Sequence, residues 1–152
     1  MKVAVISDTH VKYFKDLPSN LLSALSKADL IIHAGDIVTM DVIRGLETLA
    51  PVKGVCGNMD QPDVRANLPD KQVFDIEGKK LAVTHGSGSP WMLEERIFQA
   101  FPGFNVIIFG HSHIALNKNK NGVLLFNPGS AHDSYGLLDI GEKVSGTIHS
   151  EY

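Results

Sequence analysis

Cysteine is nearly absent from this chain. Cys56 stands alone among 152 residues, so no disulfide can form within the molecule and a reducing compartment is expected. Aromatic residues make up only 7%, with a single tryptophan. No apolar run approaches the roughly 20 residues that cross a bilayer, so no membrane span is expected. Neither sign of charge dominates: 14 Lys and Arg face 17 Asp and Glu, a net charge of −3. That balance gives no general pull toward duplex DNA or an anionic membrane, so neither is expected as a partner. Linkers, repeats and low-complexity tracts are missing too. A strand beginning at Lys2 or Val3 leaves no room for a cleaved leader, and a cytoplasmic location is expected. The length suits one domain, residues 1–152, with one core.

What the chain does have is alternation. Residues 2–7, KVAVIS, are short, apolar and β-branched, as in a strand buried on both faces. Residues 19–28 carry Leu21, Leu22, Leu25 and Ala28 at helical spacing, with Ser19 placed to cap the helix. Residues 29–36 return to strand, 41–50 to a helix ended by Pro51, and 52–58 to a third strand. Such a series predicts parallel strands covered by helices. Residues 71–86 then read as a hairpin turning at Glu77-Gly78, and 91–101 as a helix behind Pro90. A strand at 105–109, a hairpin over 114–130 turning at Asn121-Gly122, and a strand pair over 135–152 about Gly141-Glu142 complete the chain. The NKNKN stretch at 117–121 reads as a solvated hairpin tip rather than a basic patch.

Polar clusters follow the predicted strands: Asp8-Thr9-His10, Gly35-Asp36, Gly57-Asn58-Met59-Asp60, Thr84-His85-Gly86 and His111-Ser112-His113. In parallel α/β sheets functional groups gather beyond the carboxyl ends of strands. The clusters are therefore expected to converge in one cleft, at the same end of one sheet. His111 and His113 are two residues apart, so an extended backbone would project them to one face. Taken singly, each fragment reads as a turn or a buried histidine. Taken together they assemble two carboxylates, one amide and four imidazoles with no thiolate. Such oxygen and nitrogen ligands suit manganese, iron, zinc, nickel or cobalt rather than calcium. They are too many for one tetrahedral ion and enough for two ions sharing a carboxylate.

The ordered series resembles the metallophosphoesterase superfamily, also called calcineurin-like phosphoesterases. Its signature of D-x-H, G-D, G-N-H-D/E, H and G-H-x-H stands here as Asp8-x-His10, Gly35-Asp36, Gly57-Asn58-Met59-Asp60, His85 and Gly110-His111-x-His113. The short length and the NPGS at 127–130 resemble the small single-domain branch, which includes phosphodiesterases and the retromer subunit of eukaryotes. The resemblance implies a four-layer α/β/β/α sandwich with two mixed β-sheets flanked by helices. It implies that Asp8, His10, Asp36 and His113 hold one divalent transition-metal ion, and that Asp36, Asn58, His85 and His111 hold a second. Asp36 would bridge the two. Manganese is favoured, with nickel, zinc, iron and cobalt as alternatives.

The activity implied is phosphoester hydrolysis, most of all of diesters, by in-line attack of a metal-bridging hydroxide on a small-molecule phosphate ester. His33 and Asp60 are candidates to orient ligands from behind, and Cys56 reads as a small core residue. Two positions depart from the wider pattern. Met59 stands where most of the superfamily has histidine, and Ser87 where many relatives have a second histidine after His85-Gly86. No obvious arginine clamp accompanies the motifs. A non-catalytic protein-binding scaffold of the same fold is the competing reading, although all seven ligand positions are filled. A dinucleotide-binding domain is excluded, because no G-x-G-x-x-G follows the first strand. A homo-oligomer is compatible with everything above.

Overall fold

In the first strand, β1 (Lys2–Ile6), every residue after Lys2 is buried, whichever face it points to. Val3 and Val5 point into one apolar cluster, Ala4 and Ile6 into another. That two-sided burial sets the architecture of the computed structural model, which describes residues 1–150. After β1 come α1 (Ser19–Leu25), β2 (Leu30–His33), α2 (Met40–Glu47), β3 (Val52–Gly54) and α3 (Pro62–Asn67). Then follow β4 (Lys71–Ile76), β5 (Lys79–Thr84), α4 (Leu93–Ala100) and β6 (Val106–Ile108). The last elements are β7 (Leu116–Lys120), β8 (Val123–Asn127), β9 (Tyr135–Ile140) and β10 (Val144–His149).

The strands form two five-stranded sheets, ordered β10-β9-β1-β2-β3 and β4-β5-β6-β8-β7. Both are mixed. In the first, β1, β2 and β3 run parallel while β9 is antiparallel to both its neighbours, β1 and β10. In the second, β5, β6 and β8 run parallel while β4 and β7 are antiparallel. Side-chain alternation along the strands builds the layers. Val3, Val5 and Ile32 of the first sheet meet Val83, Ile108 and Phe126 of the second. The outer face of the first sheet, Ala4, Ile6 and Ile31, packs on Leu21 and Leu25 of α1 and Val42 and Leu46 of α2. The outer face of the second, Ala82, Ile107 and Leu125, packs on Leu93 and Ile97 of α4. This is the α/β/β/α sandwich with two mixed sheets that the resemblance implies.

The predicted elements appear in the predicted order, with instructive differences. Ser19 is the first helical residue rather than the cap; Pro18 occupies the cap, with φ near −58°, and no side chain caps the helix. The run 34–36 and the run 55–58 leave their sheets instead of extending them. α3 carries no signal in the sequence because only Val64 of its six residues is buried, too few to mark a period. The turns at Glu77-Gly78 and Asn121-Gly122 have positive φ at both residues, the geometry a tight hairpin requires. Residues 151 and 152 of the closing strand pair lie outside the described residues.

Phe126 joins the layers at the centre. A Cβ added at Gly136 in β9 would collide with its ring, and one at Gly146 in β10 would lie 2.7 Å from it. Gly136→Ala should therefore lower the unfolding free energy by about 1–3 kcal/mol, the usual cost of overpacking. Combined with Phe126→Leu, it should cost less than the sum of the two single effects, because the smaller side chain withdraws the ring. Urea unfolding of the parent, the two single variants and the double variant checks this; a simple sum of the two single effects would show that the ring is not what Gly136 makes room for.

Candidate metal centre

Five parallel strands deliver the polar clusters. β1, β2 and β3 of one sheet end before Asp8, Asp36 and Asn58; β5 and β6 of the other end before His85 and His111. The cleft is thus built where two sheets meet, not at the end of a single sheet as the sequence suggests. Asp8 is fully buried at the junction. Its Oδ2 accepts hydrogen bonds from Ser7 Oγ at 2.7 Å and, across the sheets, from the His111 N–H at 3.3 Å. Its Oδ1 is buried with no hydrogen-bond partner. Around that oxygen stand Nε2 of His113 at 3.2 Å and Nε2 of His10 and His85 at 3.7 Å each. Asp36 lies beside them, its Oδ2 3.1 Å from His10 Nε2 and 3.3 Å from His85 Nε2.

The four imidazoles fall into two pairs. The His10 and His113 rings meet edge to face at 5.3 Å, and the His85 and His111 rings at 5.2 Å. The second pair is oriented by backbone carbonyls. His85 Nδ1 donates to Ala34 O at 2.7 Å, which turns an unpartnered Nε2 toward the carboxylates. His111 Nε2 donates to Gly88 O at 2.8 Å, which leaves Nδ1 as the nitrogen that can accept, although His111 belongs to neither group of closely spaced ligand atoms. Fixing one ring nitrogen on a carbonyl so that the other is a basic donor is how proteins orient histidine ligands. Asp8, His10 and His113 can hold one ion between them, and Asp8, Asp36 and His85 form a second such group. Both groups share Asp8, whereas Asp36 touches one histidine of each ring pair. The orphaned Asp8 Oδ1 and His85 Nε2, in an all-oxygen and nitrogen set, fit divalent transition metals.

The two acidic and basic partners shift one another. Burial opposes ionisation of Asp36, but His85, the Met59 N–H and His10 outweigh it and hold the carboxyl well below its usual range. Burial likewise opposes a charge on His85, yet the neighbouring Asp36 and Asp8 carboxylates raise its pKa.

Local backbone geometry reaches the same end by strain. Asp8, His10, Asp36, His111 and His113 all have φ between 48° and 68°, a left-handed conformation that costs a non-glycine residue about 1 kcal/mol or more. His111 and His113 therefore share the cleft through two left-handed residues in a loop, not through the extended alternation expected of them. Gly110 permits the approach, since a Cβ there would collide with Ser7 Oγ and come 3.0 Å from Asp8 Oδ2. Gly57 does the same for Asp36, whose backbone N would lie 2.5 Å from a Cβ.

His33 and Asp60 act at a distance from the cleft. Asp60 points away from it, its two oxygens accepting the Val38 and Gly57 N–H groups at 2.6 Å each. His33 is fully buried and touches neither carboxylate. Its Nδ1 accepts the Gly35 N–H, so Nε2 carries the proton and donates to Thr9 Oγ1 at 3.0 Å. Both residues thus brace loops: Asp60 those after β2 and β3, His33 those after β1 and β2. Asn58 is exposed beside His85 in the same cavity, and its carbonyl accepts from Arg65. Cys56 is buried, and burial with a hydrogen bond to Asp70 pushes its thiol up to about 11, which suits a core role and not a nucleophile. Sequence reasoning missed Asn127. This buried amide donates to Gly110 O at 3.0 Å and Ser112 Oγ at 3.1 Å, holding the His111 to His113 loop. Its signal is an amide ending the apolar run VLLF just before Pro128.

Burial lowers the His33 pKa from 6.5 to about 3. The folded chain therefore refuses a proton that the unfolded chain takes up below pH 6.5, so this histidine's contribution is complete above pH 6.5 and lost as pH falls toward 3. Urea unfolding of chelated protein from pH 7 to 4 should show a shallower loss of stability in His33→Gln than in the parent. Parallel slopes would show that His33 charges freely in the fold.

Residues 1–143 match the family model of the calcineurin-like phosphoesterase superfamily domain. The chain is 35% identical over 133 residues to a "probable metallophosphoesterase" of Methanothermobacter thermautotrophicus, covering 86% of this chain and 77% of that one. It is 27% identical over 166 residues to a phosphodiesterase of Methanocaldococcus jannaschii, covering 94% and 95% of the two chains. The crystal structure of Entamoeba histolytica Vps29 complexed with zinc matches at 25% identity with a TM-score of 0.79, over 99% of both chains. Sequence, sheet order and the convergence of the five motifs agree: the chain belongs to the calcineurin-like phosphoesterase superfamily.

Proposed function

We propose that residues 1–152 form one domain that is a metal-dependent phosphodiesterase with two divalent ions, manganese favoured, acting on a small phosphate ester in the cytoplasm. The pairing of the four imidazoles on either side of the buried carboxylates carries this reading. Asp8, His10, Asp36 and His113 would hold one ion, and Asp36, Asn58, His85 and His111 the other. Two ions held there would supply Lewis-acid stabilisation of phosphoryl oxygens and a water of lowered pKa, the chemistry of in-line phosphoester hydrolysis.

The chain's own residues have distinct tasks. Asp8 and Asp36 set the charge of the site, leaving an excess of two positive charges when two divalent ions are bound, which attracts a phosphate. Asp36, in contact with both His10 and His85, would bridge the two ions. The backbone carbonyls of Ala34 and Gly88 keep His85 and His111 in their ligand tautomers. Met59 sits exposed at the mouth, its N–H given to Asp36 Oδ1 at 2.8 Å. Its thioether offers no proton to a leaving group.

Chelation should abolish hydrolysis of bis(4-nitrophenyl) phosphate, and added manganese should restore it. Asp36→Asn should lower turnover and metal content more than any other single ligand change. Metal analysis by atomic emission and a turnover assay check both. Full activity of demonstrably metal-free protein would refute the metal mechanism. Bound metal without hydrolysis of any ester would favour a non-catalytic scaffold of the same fold.

General acid assistance is worth roughly 10²–10⁴-fold in rate. With Met59 in place of a proton donor, turnover should fall steeply across a series of diesters as the leaving-group pKa rises. Met59→His should flatten that dependence. A flat series in the parent chain would place a proton donor elsewhere.

A further inference from the structure

Beside the metal centre lies a cavity of about 520 Å3 whose cationic side chains have no part in the reading above. Asn58 and His85 line the side shared with the centre. Leu93, Ile97 and Phe101, from α4 and the residue after it, give it an apolar wall. Arg65, Lys71 and Arg96 also line it, so the structure assembles the cluster of cations that the motifs lack.

These cations are held but not neutralised. Arg65 donates through Nε to Asp60 O and through Nη2 to Asn58 O, both at 3.0 Å. Arg96 donates through Nη1 to Trp91 O at 2.7 Å and through Nη2 to Ser87 O and Ser89 O. Every one of these acceptors is a neutral backbone carbonyl. The Lys71 ammonium lies 5.6 Å from the centre of the Phe101 ring. None of the three forms an ion pair among the described residues. The acids of α4 are already engaged, Glu94 with Lys118 and Glu95 with Lys120. Asp70 is the one acid in the wall besides the centre, and it accepts the Cys56 thiol. Guanidinium groups fixed in place before a ligand arrives lose little entropy on binding phosphate, and their planar faces also suit an aromatic ring.

We propose that this cavity holds a nucleoside monophosphate portion of the substrate. Its phosphate would meet Arg65, Lys71 and Arg96, and its base the wall of Leu93, Ile97 and Phe101. The volume lies within the range of pockets for ligands of this size. Resting on the phosphodiesterase reading, this makes the substrate a nucleotide with two phosphates, one at the metal centre and hydrolysed, the other retained in the cavity.

Calorimetric titration of the chelated chain tests the cavity without turnover. Adenosine 5′-monophosphate should bind at least about tenfold more tightly than adenosine or ribose 5-phosphate, and more weakly as salt rises. Arg65→Gln and Lys71→Gln should each weaken it about tenfold, the loss of one charge-assisted contact. Among the described residues the Lys71 side chain makes no hydrogen bond to the surrounding loops, so its replacement leaves them intact. Adenosine binding as tightly as its monophosphate, or variants binding like the parent, would overturn the proposal; ribose 5-phosphate binding equally well would overturn its nucleoside part. The two readings fail separately. Hydrolysis of bis(4-nitrophenyl) phosphate without monophosphate binding refutes the cavity alone, and monophosphate binding without hydrolysis of any ester refutes the phosphodiesterase alone.

Discussion

Asp8 places a carboxylate at the meeting point of two sheets with none of its surface exposed. Burying such a charge costs several kcal/mol unless it is compensated. One oxygen is compensated within the fold, by Ser7 of its own sheet and by the His111 N–H of the other. That bond ties the start of the chain to a loop more than a hundred residues later. The other oxygen has only the imidazoles of His10, His85 and His113 around it. A protein that held this arrangement for stability alone would fill the second position with a donor. An unfilled buried oxygen facing three ring nitrogens is an arrangement that a cation completes.

The loops bearing these groups are strained, and other residues hold the strain in place. Five candidate ligands sit in left-handed backbone conformations. Asp60 clamps the loops after β2 and β3, His33 joins those after β1 and β2, and Asn127 holds the loop after β6. Each brace is a buried polar side chain whose partners are mainly backbone groups of the loops. Removing one leaves unpaired polar groups as well as a loose ligand, so such residues matter to the centre without touching a metal.

Charge is distributed unevenly around the cleft. The carboxylates and imidazoles lie at the junction of the sheets, while Arg65, Lys71 and Arg96 line the cavity on one side. Arg65 reaches there from α3 and braces the Asn58 and Asp60 carbonyls, so one side chain serves both the ligand loop and the cavity. Arg96 gathers the carbonyls of Ser87, Ser89 and Trp91 on the loop whose Gly88 carbonyl orients His111. The cavity and the metal centre are therefore mechanically one unit.

The sequence by itself determined the order of strands and helices apart from α3, the three glycine-containing hairpin turns and the family, because apolar period, turn chemistry and ordered motifs are local properties. It also named the residues that meet in the cleft: Asp8, His10, Asp36, His85, His111 and His113. It did not show how they meet. Extended alternation would have brought His111 and His113 together, yet left-handed turns do so, because Gly110 must slide past Ser7 and Asp8 of the other sheet. The roles of His33, Asp60 and Asn127 as braces depended on which loops lie side by side. Arg65 and Arg96 lie outside every motif, so nothing in the sequence singled them out. Only the packing of α3 and α4 around one cavity placed them together, and contacts between residues far apart in the chain leave no periodic trace in it.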